Sequence, residues 1–429
     1  MSSSILVSRR RMLKTMGCGV AAPLFIPGTV LGKSGGVAAS NRITIGQIGF
    51  NWIGGSHLGG LLGRKDVQYV AGCEVHAHRL KSACDRIDRH YKHGAGQGIG
   101  RYGDFREMLT RSDMDAVVIA VPDHWHALMT IEAARAGKDI YCEKPISLTI
   151  AQGRAMVDTV RRYDRVFQTG SQQRSVFGGR FRRAVELVRN GYLGEIKHVT
   201  VGVGNPPRVC DLEEQPVPDY VDWDMWLGPA PWRGYHERLA DKNWRPYVEY
   251  CGGGLADMGA HHFDIAAWGL GMDKTGPVEV IAPGSSHHPG HPGNKRTDSM
   301  CFRYANGIYM HHRGPGGVVF YGTEGKLHVD RGTLKSTPSE ILNVKLKSTD
   351  FRVMPSNNHH TNWIEAIRKR SRPIADVELG HRTATVCHLA NMSYLLKRDM
   401  KWDPDSERVV GDDQAQRLVD RSMREPWSL

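Results

Sequence analysis

The chain has eight cysteines, at 18, 73, 84, 142, 210, 251, 301 and 387, and no two of them form a CxxC pair. Seven follow the first forty residues at wide intervals, which argues against a disulfide scaffold and a structural zinc site. Past that N-terminal stretch, no apolar run is long enough to cross a bilayer. There is also no run of lysine and arginine and no recognisable nucleic-acid module. The formal charge of +12 therefore does not indicate nucleic-acid binding. Arg9, Arg10, Arg11, Lys14 and Lys33 lie among residues 1–39, which hold no acid; setting those five aside leaves +7 (12 minus 5) for the remainder. What is present is globular: 40% hydrophobic, 24% charged, and 429 residues, enough for two or three domains with their own cores.

Residues 1–39 read as a targeting segment. Ser8-Arg9-Arg10-Arg11-Met12-Leu13-Lys14 matches the twin-arginine export pattern, a mildly apolar stretch runs from Met16 to Leu31, and Val37-Ala38-Ala39 offers small residues before a cut at Ser40. The expected location is the periplasm or another exported compartment. Widely spaced cysteines suit a protein that folds in a reducing cytoplasm and is exported afterwards.

Residues 40–175 alternate strand and helix patterns, which implies a doubly wound parallel sheet of the Rossmann type. Ile43 to Ile48 is an apolar strand entering Gly49-Phe50-Asn51-Trp52-Ile53-Gly54, and a helical pattern follows to Leu62. This is the layout of the dinucleotide fingerprint G-x-G-x-x-G with Asn51 at the middle glycine. Asn tolerates a left-handed backbone better than most residues, so the turn survives the change. The next strand, Val67 to Cys73, ends at Glu74, whose carboxylate suits the ribose hydroxyls of NAD and disfavours the extra phosphate of NADP; Arg79 nearby weakens that preference and keeps NADP open. A buried strand from Met114 to Val121 runs into Pro122-Asp123-His124-Trp125-His126. A further strand, Ile140 to Cys142, stops on Glu143-Lys144-Pro145. Lys144 is thus expected at the carboxyl edge of the sheet, where an ammonium can hold a developing alkoxide.

Residues 176–429 form the second domain. Residues 204–250 lack periodicity and are rich in Pro and Trp, including Trp223, Trp226, Trp232, Tyr235 and Trp244. A loop of that length is functional or disordered, and its tryptophans argue against disorder. Indole faces suit the C–H faces of a sugar, although for any one Trp plain packing is the simpler account. Then comes Gly252-Gly253-Gly254-Leu255-Ala256-Asp257-Met258-Gly259-Ala260-His261-His262-Phe263-Asp264. If this is helical, Asp257 and His261 are i and i+4 on one face, where a carboxylate can orient an imidazole. His287-His288-Pro289-Gly290-His291 has metal-ligand residue types in a loop, but no thiol or carboxylate completes a ligand set there, so no metal is expected. His311-His312 lies on a strand and is a candidate for the pocket, and His359-His360 reads as a capping or surface pair before a helix.

The glycine turn, Val121-Pro122-x-x-x-His126, Glu143-Lys144-Pro145 and Asp257-x-Gly259-x-His261-x-x-Asp264 together resemble the Gfo/Idh/MocA oxidoreductases, and with the export signal their twin-arginine-exported glucose–fructose oxidoreductase type. The resemblance runs from about Arg42 to the C-terminal helices. It implies a Rossmann domain joined to a C-terminal α+β domain with a large open, mostly antiparallel sheet, whose open face commonly serves as the subunit interface of a homodimer or homotetramer. It implies that Lys144, Asp257 and His261 carry the chemistry, with His261 as acid/base and Asp257 holding its tautomer. It places Gly49, Phe50, Asn51, Trp52, Ile53, Glu74, Pro122, Asp123, His126, Glu143, Lys144 and Gln172 at the cofactor. Arg174, Trp232, Tyr235 and His262 are candidates for substrate contact.

The function expected is an NAD(P)-dependent oxidoreductase acting on a hydroxyl of a sugar or sugar derivative. An exported enzyme of this kind must retain its cofactor and restore it each turnover. Two alternatives stand beside it: an NAD-dependent glycosidase or lyase that oxidises the ring transiently, and a non-catalytic sugar sensor.

Overall fold

The structure, a computed structural model, describes residues 41–94, 96–290 and 297–429. The twin-arginine segment lies outside the described residues.

The first layer is a six-stranded parallel sheet of β1 (Ile43–Ile48), β2 (Val67–Cys73), β3 (Gly100–Tyr102), β4 (Ala116–Ile119), β5 (Asp139–Cys142) and β6 (Phe167–Thr169), in the order β3-β2-β1-β4-β5-β6. Every residue of β4 and β5 is buried, as expected of strands covered on both faces. The covering helices are α1 (Trp52–Leu62), α2 (Ala77–Tyr91), α3 (Phe105–Leu109), α4 (His126–Arg135) and α5 (Ile150–Arg162). Asn51, His76, Asp104 and Thr149 cap the first, second, third and fifth through side-chain acceptors. Because the strand order reverses between β1 and β4, their following loops diverge and leave a crevice at the carboxyl edge.

After α6 (Arg180–Arg189) the chain builds an eight-stranded second sheet from β7 (Ile196–Gly202), β8 (Glu279–Ile281), β9 (Cys301–Arg303), β10 (Tyr309–Gly322), β11 (Lys326–Val329), β12 (Leu334–Thr337), β13 (Met400–Asp403) and β14 (Arg408–Val410). β10 wraps β7: residues 309–312 pair with 198–201 in ascending register, while 318–321 pair with 201–198 in descending register. The turn between these halves uses positive φ at Arg313, Gly314 and Gly317. Helices α7 (Gly253–Leu270) and α9 (Val377–Leu396) cover one face. Phe263 of α7 meets Phe302 edge-on at 5.9 Å, and a Cβ on Gly269 would lie 2.5 Å from Phe320.

Two segments depart from a simple N-to-C division. Helix α8 (His359–Lys369) packs into the first layer, where Trp363, Ile364 and Ile367 join the core of Tyr69, Val118 and Tyr141. Near the C-terminus, Trp427 meets Trp125 edge-on at 4.8 Å. His359-His360 is consequently no surface pair: His359 bonds Thr169 O and Ser175 Oγ, both at 2.7 Å, and His360 bonds His57 at 2.9 Å. Residues 204–250 hold only two short helices, Trp223–Leu227 and Glu237–Ala240, yet they carry a small core of their own. Trp223 stacks on Trp226 at 4.6 Å, Tyr235 stands edge-on to Trp223, and Trp244 is buried with them; Trp223 and Tyr235 serve packing, whereas Trp226 and Trp244 also line the cleft described below.

Candidate active site

A cleft of about 870 Å³, counted out to its open mouth, lies at the carboxyl edge of the parallel sheet. The glycine turn, the β2 end at Glu74, the β4 end at Val121 and Pro122, and the segment from Ala240 to Arg245 line it. Gly49 is required at its floor: φ is +86°, and a Cβ would lie 2.3 Å from Ala120 O. A Cβ on Gly54 would lie 2.3 Å from Gly49 O, so turn and helix close on each other. Gln47 fixes the turn from inside, its Nε2 donating to Gly49 O at 2.9 Å and Gly54 O at 2.8 Å.

Asn51 behaves differently from its sequence reading. Its backbone is extended (φ −72°, ψ 154°), and the positive φ falls on Trp52 (φ 26°). The Asn51 side chain caps α1 by accepting from Trp52 N at 2.9 Å, and its Nδ2 donates to Asp241 O at 3.0 Å. Further contacts join the two walls. Arg79 Nη1 donates to Ala240 O at 2.8 Å, and the Arg245 guanidinium lies 4.8 Å from the Trp52 ring and 4.4 Å from that of Trp244. Residues 240–245 thus form a strap over the glycine turn.

The Glu74 carboxylate sits at the end of β2, accepting from Phe50 N at 3.0 Å and His76 N at 3.1 Å, and burial raises its pKa. These features fit a dinucleotide. A Cβ-free floor admits close backbone approach, α1 presents its N-terminus, Arg79, Lys242 and Arg245 supply positive charge, and Glu74 is placed for a ribose.

Beyond Pro122 the site becomes polar. Lys144, leaving β5, directs Nζ to Asp257 Oδ1 at 2.7 Å and Asp257 O at 2.8 Å. Arg245 Nε reaches the same carboxylate at 3.4 Å, which ties strap, lysine and helix α7 together. Burial pushes the Asp257 carboxyl up, but the Lys144 and Arg245 charges outweigh it and hold the group below its ordinary range. Asp257 therefore serves Lys144 and not His261, whose Nδ1 is buried without a hydrogen-bond partner among the described residues. Burial, then the Lys144 charge, lowers the His261 pKa well below its usual value, so the imidazole is neutral at pH 7. Asp123 is buried near the same pair, and burial raises its carboxyl to about 7.

The remaining candidates scatter. Glu143 is buried and accepts from Gln172 Nε2 at 2.7 Å; His57 Nε2 lies 2.8 Å from the same oxygen. His126 spans Pro145 O (2.7 Å) and Val121 O (2.9 Å), holding the β4 and β5 exits together. Phe50 is buried behind the cleft, whereas Ile53 lines it. The Arg174 guanidinium is spent on Asp264 (2.6 Å) and Asp273 (3.1 Å), with both sides of the first pair 2% exposed. His262 is buried within 3.7 Å of Asp330, Trp232 is 64% exposed, and Tyr235 is buried. None of Arg174, Trp232, Tyr235 and His262 lines the cleft; Lys144, Asp257 and His261 do not line it either, and Arg245, which does, joins them to it through Asp257. Sequence reading passed over Gln47, His57, Asp241 and Arg245. Only Arg245 carries a sequence signal, a cation beside Trp244 in a segment already rich in aromatics.

Two family models match the chain: "Oxidoreductase family, NAD-binding Rossmann fold" over residues 43–171, and "Oxidoreductase family, C-terminal alpha/beta domain" over residues 199–429. The chain is 26% identical over 268 residues to myo-inositol 2-dehydrogenase of Thermotoga maritima (61% of this chain, 65% of the relative). It is 30% identical over 156 residues to a glycosyl hydrolase family 109 protein of Shewanella baltica (36% and 34%). Both matches span less than two thirds of the relative's length. The fold is that of the WlbA dehydrogenase from Bordetella pertussis, solved with NADH and UDP-GlcNAcA: TM-score 0.59, 17% identity, 84% of this chain and 99% of that one.

Proposed function

Since the chain belongs to the Gfo/Idh/MocA oxidoreductase family and carries its NAD-binding Rossmann domain, we propose that it oxidises a hydroxyl-bearing carbon of a sugar or sugar derivative and keeps its NAD bound between turnovers. The observation that carries the reading is Lys144, held 2.7 Å from Asp257, one helical turn before a neutral, buried His261. A hydroxyl placed between them meets an ammonium that stabilises developing negative charge and an imidazole free to take the proton. Asp257 and Arg245 fix the ammonium's position, and burial raises the nearby Asp123 carboxyl to about 7, so that it is partly protonated at neutral pH. Bound NAD supplies the hydride acceptor. Gly49, Asn51, Trp52, Ile53, Glu74 and Pro122 would hold it, and the strap from Ala240 to Arg245 would retain it.

Retention suits an exported enzyme, and Ser8 to Lys14 supports export through the twin-arginine route. Assembly as a homodimer or homotetramer through the open face of the second sheet belongs to the same reading. The test is mass spectrometry of the nucleotide released when freshly purified protein is denatured, followed by a sugar screen without added cofactor. Near-stoichiometric NAD or NADH and a ketone product are expected. A protein that neither carries nor binds NAD overturns the reading.

A second reading has one observation behind it, the 30% identity to a glycosyl hydrolase family 109 protein. Transient oxidation with return of the hydride would cleave a glycoside with no net redox change. Glycoside cleavage without ketone accumulation would select it over net oxidation.

A further inference from the structure

Three ligand-type side chains converge on the side of the second sheet away from α7 and α9. Alternation along the strands decides which ones. Phe302 and Met310 enter the core shared with α7, so Cys301 and His311, each one residue along, point to the opposite side. They are direct cross-strand partners. Past β8 the chain runs over that side and brings in His288. One nitrogen of each imidazole and the Cys301 Sγ all lie within 4.8 Å of one another, and all three residues are buried.

His288 lies 2.8 Å through Nε2 from Ser299 O, and its Nδ1 accepts the Gly290 N–H at 3.0 Å. A ring nitrogen donating to a backbone carbonyl is how metal-ligating histidines are oriented, because it fixes the tautomer and puts the lone pair on the other nitrogen.

We propose that His288, Cys301 and His311 form a binding site for a zinc-class divalent ion, separate from the dinucleotide cleft, that fastens residues 282–288 to the sheet. Two imidazoles and a thiolate select zinc over magnesium or calcium, and three protein ligands leave one coordination position for water. Bonds of about 2.0–2.3 Å require the three atoms to draw together by roughly 1 Å, with Nδ1 exchanging the Gly290 N–H for the ion. The Cys301 thiol proton leaves to solvent as the sulfur–metal bond forms. In sequence the His287–His291 loop has no thiol within reach; the fold supplies one from β9.

Purified protein is stripped with a chelator, dialysed against zinc chloride, desalted and assayed by mass spectrometry, while a second sample is titrated with cobalt chloride and followed by absorption. The expected result is about one zinc per chain and a thiolate-to-cobalt charge-transfer band that saturates at the same ratio. Cys301→Ser removes the band, and His288→Gln weakens zinc binding at least ~10-fold. Both variants keep wild-type near-ultraviolet circular dichroism and NAD binding. Zinc below about a tenth of an equivalent with no cobalt band overturns the proposal. So does zinc binding unchanged in both variants, which would place the metal on other residues. Should Cys301→Ser fail to fold, unchanged zinc affinity in His288→Gln is enough to overturn it.

Discussion

Lys144 owes its position to one carboxylate. Its Nζ bonds both the side chain and the carbonyl of Asp257, and no hydrogen bond joins Asp257 to His261. The two residues should therefore act as a unit. Lys144→Ala is expected to lower turnover about 10²–10⁴-fold, and Asp257→Asn by a large part of that. Adding Asp257→Asn to Lys144→Ala should then cost almost nothing further. A double-mutant cycle on single-turnover rates checks this, and full additivity would show that Asp257 acts through His261 instead. The same scale separates structure from recognition at Arg174. Its guanidinium is buried against Asp264 and Asp273 and lies 4.6 Å from the Trp268 ring. Removing one partner of such a pair leaves an uncompensated buried charge, so Arg174→Met should cost about 3–5 kcal/mol in denaturant unfolding. The variant that still folds should show an unchanged substrate KM; a raised KM at unchanged stability would return Arg174 to the substrate.

At the scale of elements, the glycine turn and the strap from Ala240 to Arg245 act together. Asn51 caps α1 and holds Asp241 O, two contacts from one side chain. Asn51→Gly keeps most of the cap, since glycine is only a few tenths of a kcal/mol poorer there, but loses the link to the strap. The expected outcome is faster NAD release, by about 10-fold, with Tm nearly unchanged. Stopped-flow fluorescence of bound NADH measures it, and an unaltered release rate would show that the strap does not gate the cleft. Helix boundaries were readable here because caps and breakers mark them: Thr149 starts α5 and Gly137 follows α4. The segment of residues 204–250 was not readable as packing or pocket, because Trp223, Trp226 and Trp244 share a small core and periodicity carries no sign of that.

For the whole molecule, burial sets the pH response. His262, His359 and His388 are lowered by burial to about 4, and His124 and His360 to about 3. Each has a folded pKa below its unfolded value near 6.5, so below that pH the unfolded chain takes up more protons than the folded one. Their contribution to stability is present above pH 6.5 and is lost as pH falls toward 4. Asp123, raised to about 7, and Glu74, also raised by burial, work in the opposite sense but are two groups against these histidines. Tm should therefore fall by several degrees between about pH 7 and pH 5, before ordinary carboxylates protonate. Thermal unfolding across that range tests it, and a flat profile would show that these histidines are not buried neutral.

The sequence alone determined what depends on short-range order. Strand–helix alternation, the glycine turn, the acid after β2 and the lysine after β5 are local patterns, each fixed by backbone geometry within a few residues. The resemblance built on them anticipated the family that the chain's two domains match. Only the tertiary structure decided partners. Asp257 chose Lys144 over the histidine one turn away, Arg174 turned inward to Asp264, Cys301 came to lie beside His288 and His311, and α8 returned to the first layer. The physical reason is the same in each case. A buried charge or ligand atom is satisfied by whatever group the packing of distant elements delivers, and spacing along the chain does not encode that delivery.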